Sequence, residues 1–172
     1  MTRTSPAARS ILKSYSIYPM ILYHSVEFMP PKKKAVNGNS TRDFPKVIKV
    51  SDSEYQLPCV VCGAIAVTFA IGIPQFSEEK AICYTGIVHG AGINLKAADR
   101  IFTWLEQEQI GLVHAFLEKH IVIFEEGIDA YCPECDKIYC SLHYATREEW
   151  DDGFYDCTYG TCPENHTRII HD

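Results

Sequence analysis

Between Tyr131 and His166 the chain reads YCPECDKIYCSLHYATREEWDDGFYDCTYGTCPENH, which holds five of its eight cysteines and two of its seven histidines. Cys132 and Cys135 stand two residues apart, Cys140 and His143 repeat the gap, and Cys157, Cys162 and His166 close the run. Far upstream, Cys59 and Cys62 form another C-x2-C unit, with Gly63 behind it. A two-residue gap lets both side chains of a pair reach one ion, and two such pairs complete a tetrahedron. The pattern therefore predicts two zinc ions, each held by four protein ligands. A closed site leaves no position for water, so the expected role of the ions is to hold the fold.

The candidate ligands are Cys59, Cys62, Cys132, Cys135, Cys140, His143, Cys162 and His166, with Cys157 as the alternative partner of Cys162. Sequential pairing is the expectation. Cys59, Cys62, Cys132 and Cys135 would share one ion, and Cys140 and His143 would join Cys162 and His166 at the other. Iron competes only at the first of these, because four thiolates also suit a single iron. Interleaved pairing is the alternative, with the first and third pairs on one ion and the second and fourth on the other. Cys83 has no nearby partner and reads as a small buried hydrophobe. His24, His89, His114, His120 and His171 lack paired spacing, and His171 is the strongest exception among them.

CVVCG paired with CPEC resembles the knuckles of zinc ribbons and rubredoxins, although Asp136 stands where those knuckles often carry glycine. The interleaved order resembles the cross-brace of RING-type domains, and that resemblance implies a ubiquitin-type ligase module. It departs from the RING pattern in the roughly seventy residues between Cys62 and Cys132.

Charge divides the chain. Residues 1 to 50 carry nine Lys/Arg against Glu27 and Asp43, whereas residues 51 to 172 carry seven Lys/Arg against twenty Asp/Glu. This predicts a basic arm or linker over 1–45 and an acidic zinc-binding domain over 46–172. The first 28 residues are Arg- and Ser-rich and lack an acid before Glu27, which fits an organellar targeting segment; Met29 is the alternative start. Pro30 to Lys34 with the polar stretch after it reads as a linker with a small basic cluster. No secretory signal stands out, so metal is favoured over disulfides and an intracellular location, cytoplasmic first and organellar or nuclear next, is expected. The longest apolar run, Cys59 to Ile73, is too short and too broken to span a bilayer.

The fold class expected is α+β: a small domain with zinc-ribbon or treble-clef-like knuckles and an inserted β-hairpin and amphipathic helix. Val47 to Val50 predicts a strand, Ala64–Ile73 and Ala81–Val88 a hairpin, and Ile121–Phe124 another strand. Asn94 reads as an N-cap. Leu95, Ala98, Ile101, Phe102 and Leu105 then give one helical face up to about Gln107, and Ile110, Val113 and Leu117 give a second over Glu108 to His120. Phe154 to Cys157 follows an Asp-Gly turn as a strand, with Thr158 to Thr161 as a bend.

Catalytic readings find little support. Pro58-Cys59-x2-Cys62 matches half of the zinc deaminase signature, but His24-x2-Glu27 is one residue too long for the other half. A thioredoxin-like centre needs one exposed C-x2-C at a helix start, whereas Cys62 leads into Gly63 and a strand-like run. Asp151, Asp152, Asp156 and Glu164 are the acids near the second site and read as a solvated surface. The function expected is a non-enzymatic adaptor that binds a protein partner. Its aromatics, Tyr131, Tyr139, Tyr144, Trp150, Phe154, Tyr155 and Tyr159, would serve either as interface anchors or as a mini-core. A third reading places the protein in a nucleic-acid assembly, with Lys32 to Lys34 and Arg42 on phosphates; the acidic domain itself is unsuited to that grip.

Overall fold

The computed structural model describes residues 43–75 and 77–172, and the targeting segment, Met29 and the Lys32 to Lys34 cluster lie outside them. Five antiparallel strands come first, in sheet order β1-β2-β3-β4-β5: β1 (Ile48–Ser51), β2 (Glu54–Pro58), β3 (Ile65–Gly72), β4 (Ala81–Thr85) and β5 (Gly90–Ile93). The alternation of a half-buried sheet is visible along them. Tyr55, Leu57, Val67, Phe69, Ile82, Tyr84 and Ile93 are buried, while Gln56, Thr68, Cys83 and Gly92 alternate with them on the other face. Register brings Tyr55, Phe69 and Tyr84 side by side, with the Phe69 and Tyr84 rings 5.2 Å apart and edge-on. The hairpin expected over Ala64 to Val88 is β3 and β4. Cys83 is half-exposed rather than buried, because it falls on the outward phase of β4.

Asn94 caps a short 3-10 turn at Leu95–Ala97, its Oδ1 accepting from the Lys96 N–H at 2.9 Å. Helix α1 (Ala98–Glu106) follows and buries Ile101, Phe102 and Leu105; helix α2 (Ile110–His120) buries Ile110, Val113, His114 and Leu117. These faces join the buried sheet face in one core. The two helical patterns do not merge: Glu108 takes φ 55° between them, a left-handed conformation that ends α1. Ile121–Phe124 is not a strand. Val122–Phe124 is a 3-10 turn, and Val122 and Ile123 are exposed, so the β-branched run has no partner to pair with.

A small hairpin comes next, β6 (Tyr131–Cys132) and β7 (Lys137–Ile138), then a second antiparallel sheet in order β10-β9-β8: β8 (Ala145–Asp151), β9 (Phe154–Thr161) and β10 (Thr167–His171). The bend expected at Thr158 to Thr161 is instead the second half of β9, paired on both sides. Asp152 and Gly153, at φ 46° and 85°, make the β8–β9 turn, a pair of left-handed residues that suits the twist of a tight hairpin. The fold is mixed α+β with two α-helices and antiparallel sheets among the described residues. Between the Cys59–Cys62 turn and Cys132 stand most of a five-stranded sheet and two helices, larger than the inserted hairpin and helix expected.

Candidate metal centre

Each of the four units, two C-x2-C, one C-x2-H and the C-x3-H of Cys162 and His166, sits on a tight turn. In the first, the Gly63 N–H donates to the Cys59 carbonyl at 2.8 Å and the Cys59 N–H to the Ala64 carbonyl at 2.8 Å. Gly63 takes φ +75° with the Phe44 ring packed where a Cβ would stand, so both its conformation and its lack of side chain are used. In the β6–β7 turn Asp136 adopts the left-handed conformation, φ 50°, that glycine usually supplies. Its carboxylate accepts from the Tyr131 hydroxyl at 2.8 Å and from Lys46 at 3.0 Å, which offsets the strain of a side chain there. After Cys140 the amides of His143 and Tyr144 both donate to its carbonyl. Asn165, φ 67°, shapes the last turn, and the Cys162 N–H donates to the His166 carbonyl at 3.0 Å.

The four units close on two points. Cys59, Cys62, Cys140 and His143 form one group, and Cys132, Cys135, Cys162 and His166 form the other; within each, all four ligand atoms lie within 4.8 Å of one another. In the first group, Cys59 Sγ lies 3.6 Å from His143 Nδ1, Cys62 Sγ 3.7 Å from Cys140 Sγ, and Cys140 Sγ 3.2 Å from His143 Nδ1. In the second, Cys135 Sγ lies 3.1 Å from Cys132 Sγ, 3.6 Å from Cys162 Sγ and 3.3 Å from His166 Nδ1, and Cys162 Sγ is 3.6 Å from the same nitrogen. The edges of a zinc tetrahedron built from standard bond lengths are about 3.8 Å between sulfurs and about 3.6 Å from sulfur to nitrogen. The observed separations approach those edges and are far too long for a disulfide. Both groups could hold a metal ion.

The pairing is interleaved, which corrects the sequential expectation. The reason lies in the hairpin. Cys132 and Cys135 occupy its strand end and turn, whereas Cys140 and His143 follow its second strand, so the two units end up apart. The Val60 N–H donates to the Ile138 carbonyl at 3.0 Å, docking the Cys59–Cys62 knuckle against β7 beside Cys140. No group of four cysteines forms among the described residues, so the site at which iron was expected to compete is not built. Cys157 lies outside both groups. It is buried on β9 opposite Glu149, in the strand phase that points away from the second group. His166 takes the fourth place.

Electrostatics at the groups favour a cation. Burial, with Cys62 and Cys59 close by, pushes the Cys140 thiol up to about 11, and burial with Cys135 raises Cys132 strongly. Burial works the same way at Cys59 and Cys162, but there the knuckle amides outweigh it: those of Cys140, Val61 and Cys62 lower Cys59, and those of His166 and Glu164 lower Cys162. Three thiols so close cannot all ionise without a positive charge among them, and a divalent ion would supply it. Around the second group Cys132, Tyr139, Tyr144, Cys162 and Ile170 make a separate small core. Three of the aromatics singled out from the sequence, Tyr131, Tyr139 and Tyr144, are thus core, whereas Trp150, Phe154 and Tyr155 are exposed.

The sequence model of a family described as "Domain of unknown function (DUF8328)" matches residues 48–172. The chain belongs to that family. No curated protein and no solved structure matches it. The DUF8328 match begins with β1 and contains all eight residues of the two groups, so the sheet, the helices and both groups fall inside one family domain.

Two buried polar groups outside the metal groups escaped sequence reasoning. Asp129, fully buried, accepts from the Tyr84 hydroxyl at 2.5 Å and from the Val88 and His89 amides at 2.7 and 3.3 Å. His114, on the buried face of α2, accepts the Ile128 N–H on Nδ1 at 3.0 Å. Its ring fills the space a Cβ on Gly127 would take. Burial and then Arg168 bring the His114 pKa down from 6.5 to about 4. An unfolded chain therefore takes up this proton first as pH falls, so stability present above about pH 6.5 is lost as the pH drops toward 4. An NMR titration of the His114 ring is expected to give a midpoint near 4; a midpoint near 6.5 would contradict the buried, neutral assignment.

Proposed function

We propose that this DUF8328 domain is a non-enzymatic protein-interaction module built on two structural zinc ions. The observation that carries it is that both groups are complete. Each offers three sulfurs and one imidazole nitrogen to a single point, which suits zinc and leaves no position open for a reacting water. Each ion would also bridge separate parts of the fold. The first would join the β2–β3 turn to the chain after β7, and the second the β6–β7 turn to the β9–β10 turn. That is the work of a structural metal. Exposed Trp150, Phe154 and Tyr155 on the β8–β9 hairpin support a docking role, since large aromatics left in water are typical interface anchors. Eight unbridged cysteines support a reducing, intracellular compartment.

Mass spectrometry under native conditions is expected to find two zinc ions per chain and a colourless protein. A folded, metal-free protein would overturn the reading, and a coloured, redox-active one would replace zinc with iron. Interleaved pairing also favours a second reading, the RING-like ligase module. Ubiquitin-chain formation with purified activating and conjugating enzymes would establish it, and its absence across a panel of conjugating enzymes would remove it.

A further inference from the structure

A ladder of aromatic rings runs from the β8–β9 hairpin along the C-terminal sheet into a cavity. Trp150 meets Tyr155 edge-on at 5.8 Å, Tyr155 meets His171 at 5.8 Å, and His171 meets His89 at 5.1 Å. The ladder ends in a cavity of about 280 Å³ whose lining includes His89, Phe124, Glu125, Glu126, His171 and Asp172. At its mouth Val122 and Ile123 are 81% and 58% exposed, and at the far end of the ladder Trp150 is 59% exposed. Both ring nitrogens of His89 are buried and have no hydrogen-bond partner among the described residues, the nearest charge being the Asp129 carboxylate 3.6 Å from Nδ1.

We propose that this face binds a basic peptide segment of a partner protein, with the apolar stretch from Trp150 to Val122 taking its hydrophobic side chains and the cavity taking a lysine. The inference rests on the reading of the domain as an interaction module and names the partner's chemistry. Charge supports it. Glu125, Glu126 and Asp172 line the cavity, and Glu148 stands beside Trp150, accepting its indole N–H at 3.3 Å. The Glu126 carboxyl is raised by burial and by Asp172, Glu118 and Glu125, even with Arg168 working against them. The Arg168 guanidinium is itself spent on four backbone carbonyls. An incoming ammonium would relieve that crowding of like charges.

Size and donor count agree. The cavity is below the range of pockets that enclose whole small ligands and suits one long side chain. A lysine ammonium has three N–H donors and no acceptor, which matches two carboxylates and the lone pair of a neutral imidazole. Burial, then the neighbouring His171, keeps His89 on the neutral side despite Asp129. A third metal fits less well, because His89, His171 and the acids do not bring three ligand atoms within the span that defines the two cysteine-histidine groups.

The test uses the full chain with its zinc content measured first, titrated with a twelve-residue peptide of lysine, leucine and alanine and followed by Trp150 fluorescence in a Trp104→Phe background. Saturable binding is expected, weakened roughly ten-fold or more when the lysines are acetylated and when Glu126→Gln is combined with Asp172→Asn. Neutralising Glu78 and Glu79, which lie in the β3–β4 connection, should leave it unchanged. Equal binding of the acetylated peptide, equal weakening by the Glu78 and Glu79 changes, or displacement of the peptide by a third equivalent of zinc would each overturn the proposal. Two zinc ions retained without peptide binding would remove this inference alone, while a wrong zinc count would bear on the metal reading instead.

Discussion

Replacing Cys59 and Cys140 together with serine will remove one metal ion and leave the other bound, whereas replacing Cys59 and Cys132 together will remove both. The interleaved geometry demands this outcome, since Cys59 and Cys140 share a group and Cys132 belongs to the other. Sequential pairing would give the reverse pattern, with one ion lost from the Cys59–Cys132 variant and two from the Cys59–Cys140 variant. Cobalt substitution reads the result directly, because each tetrahedral thiolate site contributes its own visible absorption. The expected effect on folding is large. A structural zinc contributes about 10–16 kcal/mol to a folded site, and a whole domain is stable by only about 5–15 kcal/mol. The variant that loses both ions should therefore be unfolded at room temperature. Cys132→Ser with Cys162→Ser should spare the sheet–helix core and melt the small core around Tyr139, Tyr144 and Ile170, visible as partial loss of circular dichroism.

That the ligands could be named from the sequence and their pairing could not has a physical cause. C-x2-C spacing reports only that two side chains can reach one ion, which is a property of a single turn. Which turns meet depends on the hairpin between Cys132 and Cys140 and on the docking of Val60 against Ile138, contacts between residues far apart in the chain. The same division holds for the fold. Ile101, Phe102 and Leu105 announce α1 through their spacing, and Val67, Phe69, Ile82 and Tyr84 announce β3 and β4 through alternation. The sequence patterns predict no strand at β2, β5, β6, β7, β8 or β10. β5 reads GAGI, with too few side chains to carry a pattern, and β8 is exposed along most of its length, so its residues show no buried phase. Cys157 looked like a ligand because it lies near Cys162 in sequence, but along a strand its neighbours alternate faces, and proximity in sequence then says little.

Arg168→Met is expected to destabilise the domain by about 3 kcal/mol while leaving both metal ions bound. Arg168 on β10 donates from Nε to the Tyr131 carbonyl at 3.1 Å, from one terminal nitrogen to the Glu126 and Ile169 carbonyls at 2.9 and 2.8 Å, and from the other to the Ile128 carbonyl at 2.6 Å. Methionine keeps most of the length and none of the donors. Hydrogen bonds to a charged donor contribute about 1.5–3 kcal/mol each, but bonds made by one group are not additive, and buried carbonyls left without a partner add their own penalty. The total should lower the melting temperature by roughly 10 °C at fixed excess zinc. Arg168→Lys should recover only part of it, since an ammonium cannot meet four carbonyls spread around a planar guanidinium. The geometry explains why the effect is large at a half-buried surface strand. The segment 126–131 belongs to the sheet–helix core and β10 to the C-terminal sheet, and this one side chain fastens them where the second metal group does not reach. A loss below about 1 kcal/mol, the range of an ordinary surface change, would show that the metal group alone holds the two sheets together.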